Sequence, residues 1–109
     1  MSAALPTVLR LSALPATLDA EQMTQLAAGR RFRLEHILSG DHASAPGFWY
    51  DQAEDEWAIL LSGRAVLEFE AGELELGAGD AVLIPAHLRH RVARSENAVW
   101  LALHVLDPL

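Results

Sequence analysis

The clearest pattern along the chain is an alternation of apolar and polar side chains that begins at Arg31. Side chains two residues apart share one face of an extended strand, so this segment is predicted to form a half-buried strand. One face carries Phe32, Leu34, His36 and Leu38, and the other carries Arg31, Arg33 and Glu35.

Short apolar segments separated by turn residues follow through the rest of the chain. Gly, Ser, Asn and Asp favour tight turns, and proline interrupts strand pairing. Segments of about four to eight residues between such breakers are typical of strands. Many short strands with almost no helix indicate an all-β barrel or sandwich. The predicted strands include 57–61, 64–70, 73–76, 81–84, 89–93 and 98–105, with turns at 62–63, 71–72, 77–80 and 95–97.

One short helix is predicted near the start of the chain. Asp19 is a suitable N-cap, Gln22 occupies the reciprocal capping position, and Gly29 is a stop signal. Met23 and Leu26 fall on one face of such a helix.

Composition narrows the class of protein. The 109 residues are 51% hydrophobic, which suffices for one core and predicts a single domain over residues 1–109. A formal net charge of −7 disfavours nucleic acid and anionic membranes as partners. The absence of cysteine leaves histidines and carboxylates as the strong metal ligands. With no signal-peptide pattern and no long apolar run, we expect a soluble cytoplasmic protein.

Two spaced motifs carry a resemblance to a known family. Six residues separate Glu56 from Gly63, and further on Gly79, Pro85, His87 and His90 follow with intervals of five, one and two residues. These motifs, with fifteen residues between Gly63 and Gly79, resemble the two motifs of small single-domain cupins of type 2. The resemblance implies a double-stranded β-helix, or jelly-roll barrel, over about residues 31–105, preceded by an N-terminal extension over residues 1–30.

The first motif departs from the family pattern. Cupins carry His-x-His before the motif glutamate, but one spacing places Tyr50 and Gln52 there, and the other places Trp49 and Asp51. In the second motif His87 stands where the family has glycine, and Arg94 replaces the final asparagine. The first motif is therefore degenerate, and a standard site of three histidines and one glutamate is not expected.

The metal ligands that the resemblance implies are correspondingly atypical. Glu56 and His90 match motif positions, and Gln52, or alternatively Asp51, supplies an oxygen donor. His104 is added because it shares a strand face with Trp100 and a buried imidazole needs a partner. A site of nitrogen and oxygen donors suits a divalent ion such as Zn, Mn, Fe or Ni.

Several functions remain open at this point. The first is a metal-dependent enzyme acting on a small organic substrate, with Glu56 as a catalytic proton carrier. The second is a non-catalytic module that binds a small molecule without metal, and the third is a purely structural dimer. Fold alone does not choose among them. The resemblance also implies a homodimer, which would cover an open sheet edge.

Overall fold

The computed structural model describes residues 5–107 and places six β-strands in this range. The prediction of an all-β fold is confirmed. Within these residues no helix is long and apolar enough to span a bilayer. The predicted domain also includes residues 1–4 and 108–109, which lie outside the described residues. The strands are β1 (Gln22–Ala28), β2 (Phe32–Gly40), β3 (Asp55–Phe69), β4 (Gly72–Gly77), β5 (Ala81–Ile84) and β6 (His90–Val105).

The helix predicted between Asp19 and Gly29 is wrong. Gln22–Ala28 instead forms β1, an antiparallel partner of β2 in which Met23 faces Ile37 across the ladder. The capping signals act within a few residues, whereas β2 presents a row of backbone donors and acceptors that an added strand satisfies. Pairing with β2 therefore outweighs a weak local helix propensity.

Two long strands, β3 and β6, hold the barrel together. The predicted breaks at 62–63 and 95–97 are bends inside these strands, where the ladder register shifts. Gly63 has φ 81° and Asn97 has φ 48°, both in the left-handed region. A Cβ at Gly63 would overlap the carbonyl oxygens of Glu96 and Asn97, so only glycine fits. Because of the bend, β3 pairs with β5 along its first half and with β4 along its second.

The strand register builds rows of side chains across the barrel. The ladder order is β1-β2-β6-β3-β4, and β5 also pairs with β3. Because side chains alternate along each strand, every second row of paired residues points into the barrel. The first inward row contains Arg33, His104, Glu56 and Ile84, the second contains Glu35, Ala102, Ala58 and Val82, and a third contains Ile37, Trp100 and Leu60.

The orientation of β2 is unexpected for its sequence. Its charged residues Arg33 and Glu35 face the interior, and the apolar Leu34 between them faces outward. On this outer side His36 Nε2 lies 2.8 Å from the Leu11 carbonyl oxygen, so the N-terminal segment crosses β2 there. A continuous outer row of four large apolar side chains also spans four strands: Leu34, Leu103, Trp57 and Leu83.

Candidate functional site

The inward rows enclose a cavity of about 250 Å³ at one end of the barrel. All four residues predicted for the site, Gln52, Glu56, His90 and His104, line this cavity. They reach it from four places in the chain: the segment before β3, β3 itself, and each end of β6. The structure thus brings the predicted residues together, and their chemical roles depend on what each contacts.

The structure decides between the two alternative spacings of the first motif. Tyr50 and Gln52 line the cavity. Asp51 is exposed, and its carboxylate lies 2.8 Å from His87 Nδ1 on the outside. Of the two alternatives, Gln52 is therefore the residue that can contact a bound molecule, and Asp51 lies on the outside.

His90 is held by a pair of backbone hydrogen bonds and by an aromatic neighbour. The Tyr50 amide donates to the His90 carbonyl at 2.7 Å, and the His90 amide donates to the Tyr50 carbonyl at 3.1 Å. The two rings stack with centroids 5.3 Å apart. His90 Nδ1 donates to the Leu88 carbonyl at 3.0 Å, which leaves the lone pair on Nε2. Burial lowers the pKa of His90, so the neutral ring is favoured.

Glu56 is a buried carboxyl between two other carboxylates. It is 8% exposed and hydrogen-bonds to the Gln52 side chain. Burial, with added repulsion from Glu35 and Glu54, raises the pKa of Glu56 to about 7. This side chain therefore exchanges its proton near neutral pH. Burial and the negative charges of Glu21 and Glu56 also raise the pKa of Tyr50.

A network of charged residues surrounds His104. Its Nε2 donates to Glu35 Oε1 at 2.7 Å, and Arg33 Nε lies 3.3 Å from the same oxygen. Arg33 Nη2 donates to Glu54 Oε1 at 2.8 Å, and this bond lowers the pKa of Glu54. Burial and the Arg33 charge lower the pKa of His104. His104 Nδ1 is buried without a hydrogen-bond partner, 3.7 Å from Glu54 Oε1.

The sequence did not point to Arg33, Glu35 or Glu54 as site residues. Alternation placed Arg33 and Glu35 on one strand face, but charged faces normally point to water. A strand of a barrel can turn its polar face to an internal cavity, and this general possibility was the one reason to consider these residues for the site. Tyr50, which stands at a position where the family motif has histidine, also lines the cavity.

The residues present do not fit a divalent metal held by protein ligands alone. In the range 5–107 no three His, Asp or Glu side chains converge on a point that could hold an ion. Tyr50 and Gln52 replace the two imidazoles that the family motif supplies. His90 and His104 each donate one ring N–H, to the Leu88 carbonyl and to Glu35, and keep a lone pair on the other nitrogen, as metal-binding histidines do, but two such rings do not make a site.

The second motif has one further departure with a visible structural consequence. His87 has φ 63°, in the left-handed region where glycine is preferred. Its amide donates to the Gln52 carbonyl at 2.7 Å, and its ring bonds to Asp51. These contacts hold a histidine in a conformation that suits the glycine of the family motif, and they fix the segment that carries Gln52.

The fold and the cavity define a small β-barrel with a polar internal site, and comparison with known proteins names its class. A family model described as the cupin domain matches residues 35–104, and the chain belongs to this family. The resemblance found in the two motifs is confirmed. No curated protein sequence matches the chain.

Solved structures agree with this assignment. A protein of Ralstonia eutropha JMP134, named as a candidate mannose-6-phosphate isomerase, is 37% identical, with a TM-score of 0.86 over 94% of this chain and 100% of that one. A cupin superfamily protein of Desulfitobacterium hafniense DCB-2 is 19% identical, with a TM-score of 0.79 over 96% and 94% of the two chains. KdgF from a Halomonas species is 18% identical, with a TM-score of 0.69 over 85% and 86%. The last two show the fold alone.

Proposed function

We propose that this cupin binds a small organic molecule in the barrel cavity and exchanges a proton with it, without a metal ion. Glu56 is the proton donor and His90 is the acceptor. The observation that carries the proposal is that both side chains line one cavity while His90 Nε2 forms no hydrogen bond among the described residues. An acid and a base on the walls of one cavity are the minimal equipment for proton transfer.

The state of each group suits its assigned role. With a pKa of about 7, the Glu56 carboxyl carries a proton in a large fraction of molecules at neutral pH. A general acid or base is most effective when its pKa is close to the working pH. His90 is neutral because burial lowers its pKa, and the bond from Nδ1 to the Leu88 carbonyl keeps the Nε2 lone pair available.

A reaction that moves a proton within one substrate, such as an isomerisation, uses this pair in the simplest way. Glu56 protonates one atom of the bound molecule, and His90 removes a proton from another. The Ralstonia protein named as a candidate isomerase supports this class of reaction at 37% identity.

The test is proton exchange into bound compounds in deuterated water. Small carbonyl compounds are incubated with the protein, and loss of their carbon-bound hydrogen signals is followed by proton NMR. We expect exchange with the wild type, and we expect Glu56→Gln and His90→Gln to lose it while still binding the compound. Exchange that continues unchanged in Glu56→Gln would overturn the assigned role of Glu56.

A metal-dependent function is the second candidate, in which Gln52, Glu56, His90 and His104 bind a divalent ion. The bond from His90 Nδ1 to the Leu88 carbonyl favours it, because metal-binding histidines are commonly oriented in this way. Elemental analysis of the untagged protein and of a Glu56→Ala, His90→Ala double variant separates the two candidates. We expect little metal in either protein. Stoichiometric metal in the wild type that disappears in the variant would replace the first proposal by the second.

We also propose that the chain forms a homodimer through the outer row of Leu34, Leu103, Trp57 and Leu83. Trp57 and Leu83 are each 38% exposed, and the row is continuous across four strands. Large apolar side chains that adjoin on a surface are typical of an interface. A twofold axis through this row would place the same side chains of a second copy against it.

A further inference from the structure

The charge of the cavity restricts the ligand that it can bind. Three glutamates, Glu21, Glu35 and Glu56, line it, and a fourth, Glu54, accepts a hydrogen bond from Arg33. Among the described lining residues Arg33 is the only arginine or lysine. Even with Glu56 protonated in a large fraction of molecules, the other three glutamates outnumber this cation, so the partly water-excluded interior is negative toward an entering molecule.

The single guanidinium is not available to an incoming anion. Arg33 Nε is directed at Glu35, and its Nη2 donates to Glu54 at 2.8 Å. An anionic ligand would have to take Arg33 from these carboxylates and leave them unpaired in a partly buried setting. Breaking such pairs is costly, so a phosphate or carboxylate group is disfavoured in this cavity.

A second observation concerns His104, which is 4% exposed and lines the cavity. Because its Nε2 donates to Glu35, the lone pair lies on Nδ1, and this atom has no hydrogen-bond partner. Its nearest charged neighbour, Glu54 Oε1 at 3.7 Å, is also an acceptor. The unpaired lone pair of Nδ1 therefore adds to the negative potential of the cavity wall, which favours a cationic ligand over an anionic one.

The remaining walls suit an organic cation rather than a bare ion. Trp100 and Tyr50 line the cavity together with aliphatic side chains such as Ile37 and Ile84. Aromatic rings attract ammonium and guanidinium groups, and aliphatic walls bind the carbon skeleton. A volume of about 250 Å³ is much larger than a metal ion needs and is below the range typical of drug-sized ligands.

We propose that the ligand of this cavity is a small protonated amine, and that phosphate esters and carboxylic acids are excluded. This inference rests on the proposed function, because it takes the cavity to be the ligand site. If phosphate esters are excluded, this chain does not bind mannose 6-phosphate, the compound in the name of the Ralstonia protein. That compound would bring a phosphate group into a cavity lined by three glutamates.

The test uses three probes of one shape that differ in charge: benzylamine, benzyl alcohol and benzoate, with mannose 6-phosphate as a fourth. Binding is measured by amide chemical-shift changes in nitrogen-15-labelled full-length protein, which also identify the residues affected. We expect benzylammonium to shift cavity residues and to bind about tenfold more tightly than benzyl alcohol. We expect no cavity shifts with benzoate or mannose 6-phosphate.

Variants of the acidic residues provide the control. Glu35→Gln and Glu21→Gln should each weaken benzylammonium binding by about fivefold or more, since each removes one negative charge from the cavity. Glu21 is half-buried and its polar contacts are with Ser39 and His42 rather than Arg33, so Glu21→Gln keeps the test decisive if Glu35→Gln fails to fold. Glu70→Gln, at an exposed turn, should have no effect.

The results distinguish failure of the amine proposal from failure of the proposal that the cavity is the ligand site. Cavity shifts with benzoate, mannose 6-phosphate or benzyl alcohol that equal or exceed those with benzylammonium would overturn the amine proposal and leave the ligand site standing. No cavity shift with any of the four probes would count against both.

Discussion

Glu56 and His104 are direct partners across the ladder of β3 and β6, and both side chains line the cavity, yet each is held by a different residue. Glu56 bonds to the Gln52 side chain, whereas His104 bonds to Glu35. A carboxyl and an imidazole placed opposite each other would ordinarily form an ion pair. Here the imidazole is paired with Glu35 of β2 instead, and burial, with repulsion from Glu35 and Glu54, raises the pKa of Glu56.

The raised pKa of Glu56 predicts that stability falls as the pH rises. The folded chain holds this proton up to about pH 7, whereas the unfolded chain releases it near the ordinary value of 4.5. Between these values the folded state binds more protons, so the free energy of unfolding decreases with pH. Glu56→Gln removes the titrating carboxyl and with it this pH-dependent loss of stability. The free energy of unfolding of the variant, relative to that of the wild type, should rise by about 2 to 3 kcal/mol as the pH goes from about 5 to about 8.

Urea unfolding at several pH values measures this difference. The matched control is Glu70→Gln, because Glu70 is an exposed glutamate at the turn after β3. Its stability relative to the wild type should not change with pH. Parallel pH curves for wild type and Glu56→Gln would show that Glu56 titrates at its ordinary value.

Arg33→Gln should destabilise the protein at neutral pH, since it leaves Glu35 and Glu54 without their shared cation. The Arg33 side chain is 32% exposed, so we expect a loss of about 1 to 2 kcal/mol rather than the larger cost of a fully buried pair. Arg33 lowers the pKa of Glu54, so this stabilisation is present above about pH 4.5 and is lost as the pH falls.

Chemical unfolding of Arg33→Gln at neutral and acidic pH tests that expectation. Arg64→Gln is the control, because Arg64 is an exposed arginine on β3 away from the cavity. The loss of stability caused by Arg33→Gln should be smaller at acidic than at neutral pH, whereas the loss caused by Arg64→Gln should stay small at both pH values. An equal loss at neutral and acidic pH would mean that Arg33 acts through packing alone.

Two motif glycines should respond differently to alanine. Both have positive φ, 81° at Gly63 and 91° at Gly79. A Cβ at Gly63 would overlap two backbone carbonyls, whereas a Cβ at Gly79 would meet no atom within 4 Å. Gly79→Ala should therefore cost only the left-handed backbone penalty of about 1 to 2 kcal/mol. Gly63→Ala should cost about 3 kcal/mol or more, or prevent folding.

Thermal and urea unfolding of the two alanine variants, measured side by side, check this ranking. Equal losses would mean that β3 can shift away from Glu96 and Asn97 at little cost, and that the bend does not depend on the glycine.

The fold class could be predicted from the sequence because turn residues and two-residue alternation recur along most of the chain. The predicted break at Ser62-Gly63 shows the limit of that approach. A glycine that permits a turn also permits a bend, and only the partner strand decides which one forms. The helix at 19–29 failed for the same reason, since its alternative, β1, is stabilised by pairing with a distant segment.

Some of the residues that line the cavity could be predicted. Glu56 was predicted from its match to the cupin motif, and His104 from its alternation with Ala102 and Trp100 on one strand face. Arg33 and Glu35 could not be predicted, because alternation assigns residues to two faces without saying which face is inside. Their inward placement depends on β2 pairing with β6, a long-range contact that no local pattern encodes.

Dimer formation can be tested at the outer row. Trp57→Glu places a charge beside Leu103 and Leu83 and should convert a dimer into a monomer, since burying an unpaired carboxylate is costly. Leu74→Glu is the control, because Leu74 is a 46% exposed apolar residue on β4, away from that row. Light scattering coupled to size-exclusion chromatography gives the mass of each variant. A monomeric wild type, or a dimer that survives Trp57→Glu, would contradict the proposed interface.

The position of β6 in the chain has a consequence for how the protein is made. This strand is synthesised after the other five, and it is the one that pairs with both β2 and β3. Until it emerges from the ribosome, β2 and β3 lack their shared neighbour, and His90, Trp100 and His104 are missing from the cavity wall. The nascent chain therefore exposes these strand edges until β6 has emerged, and the cavity forms only then.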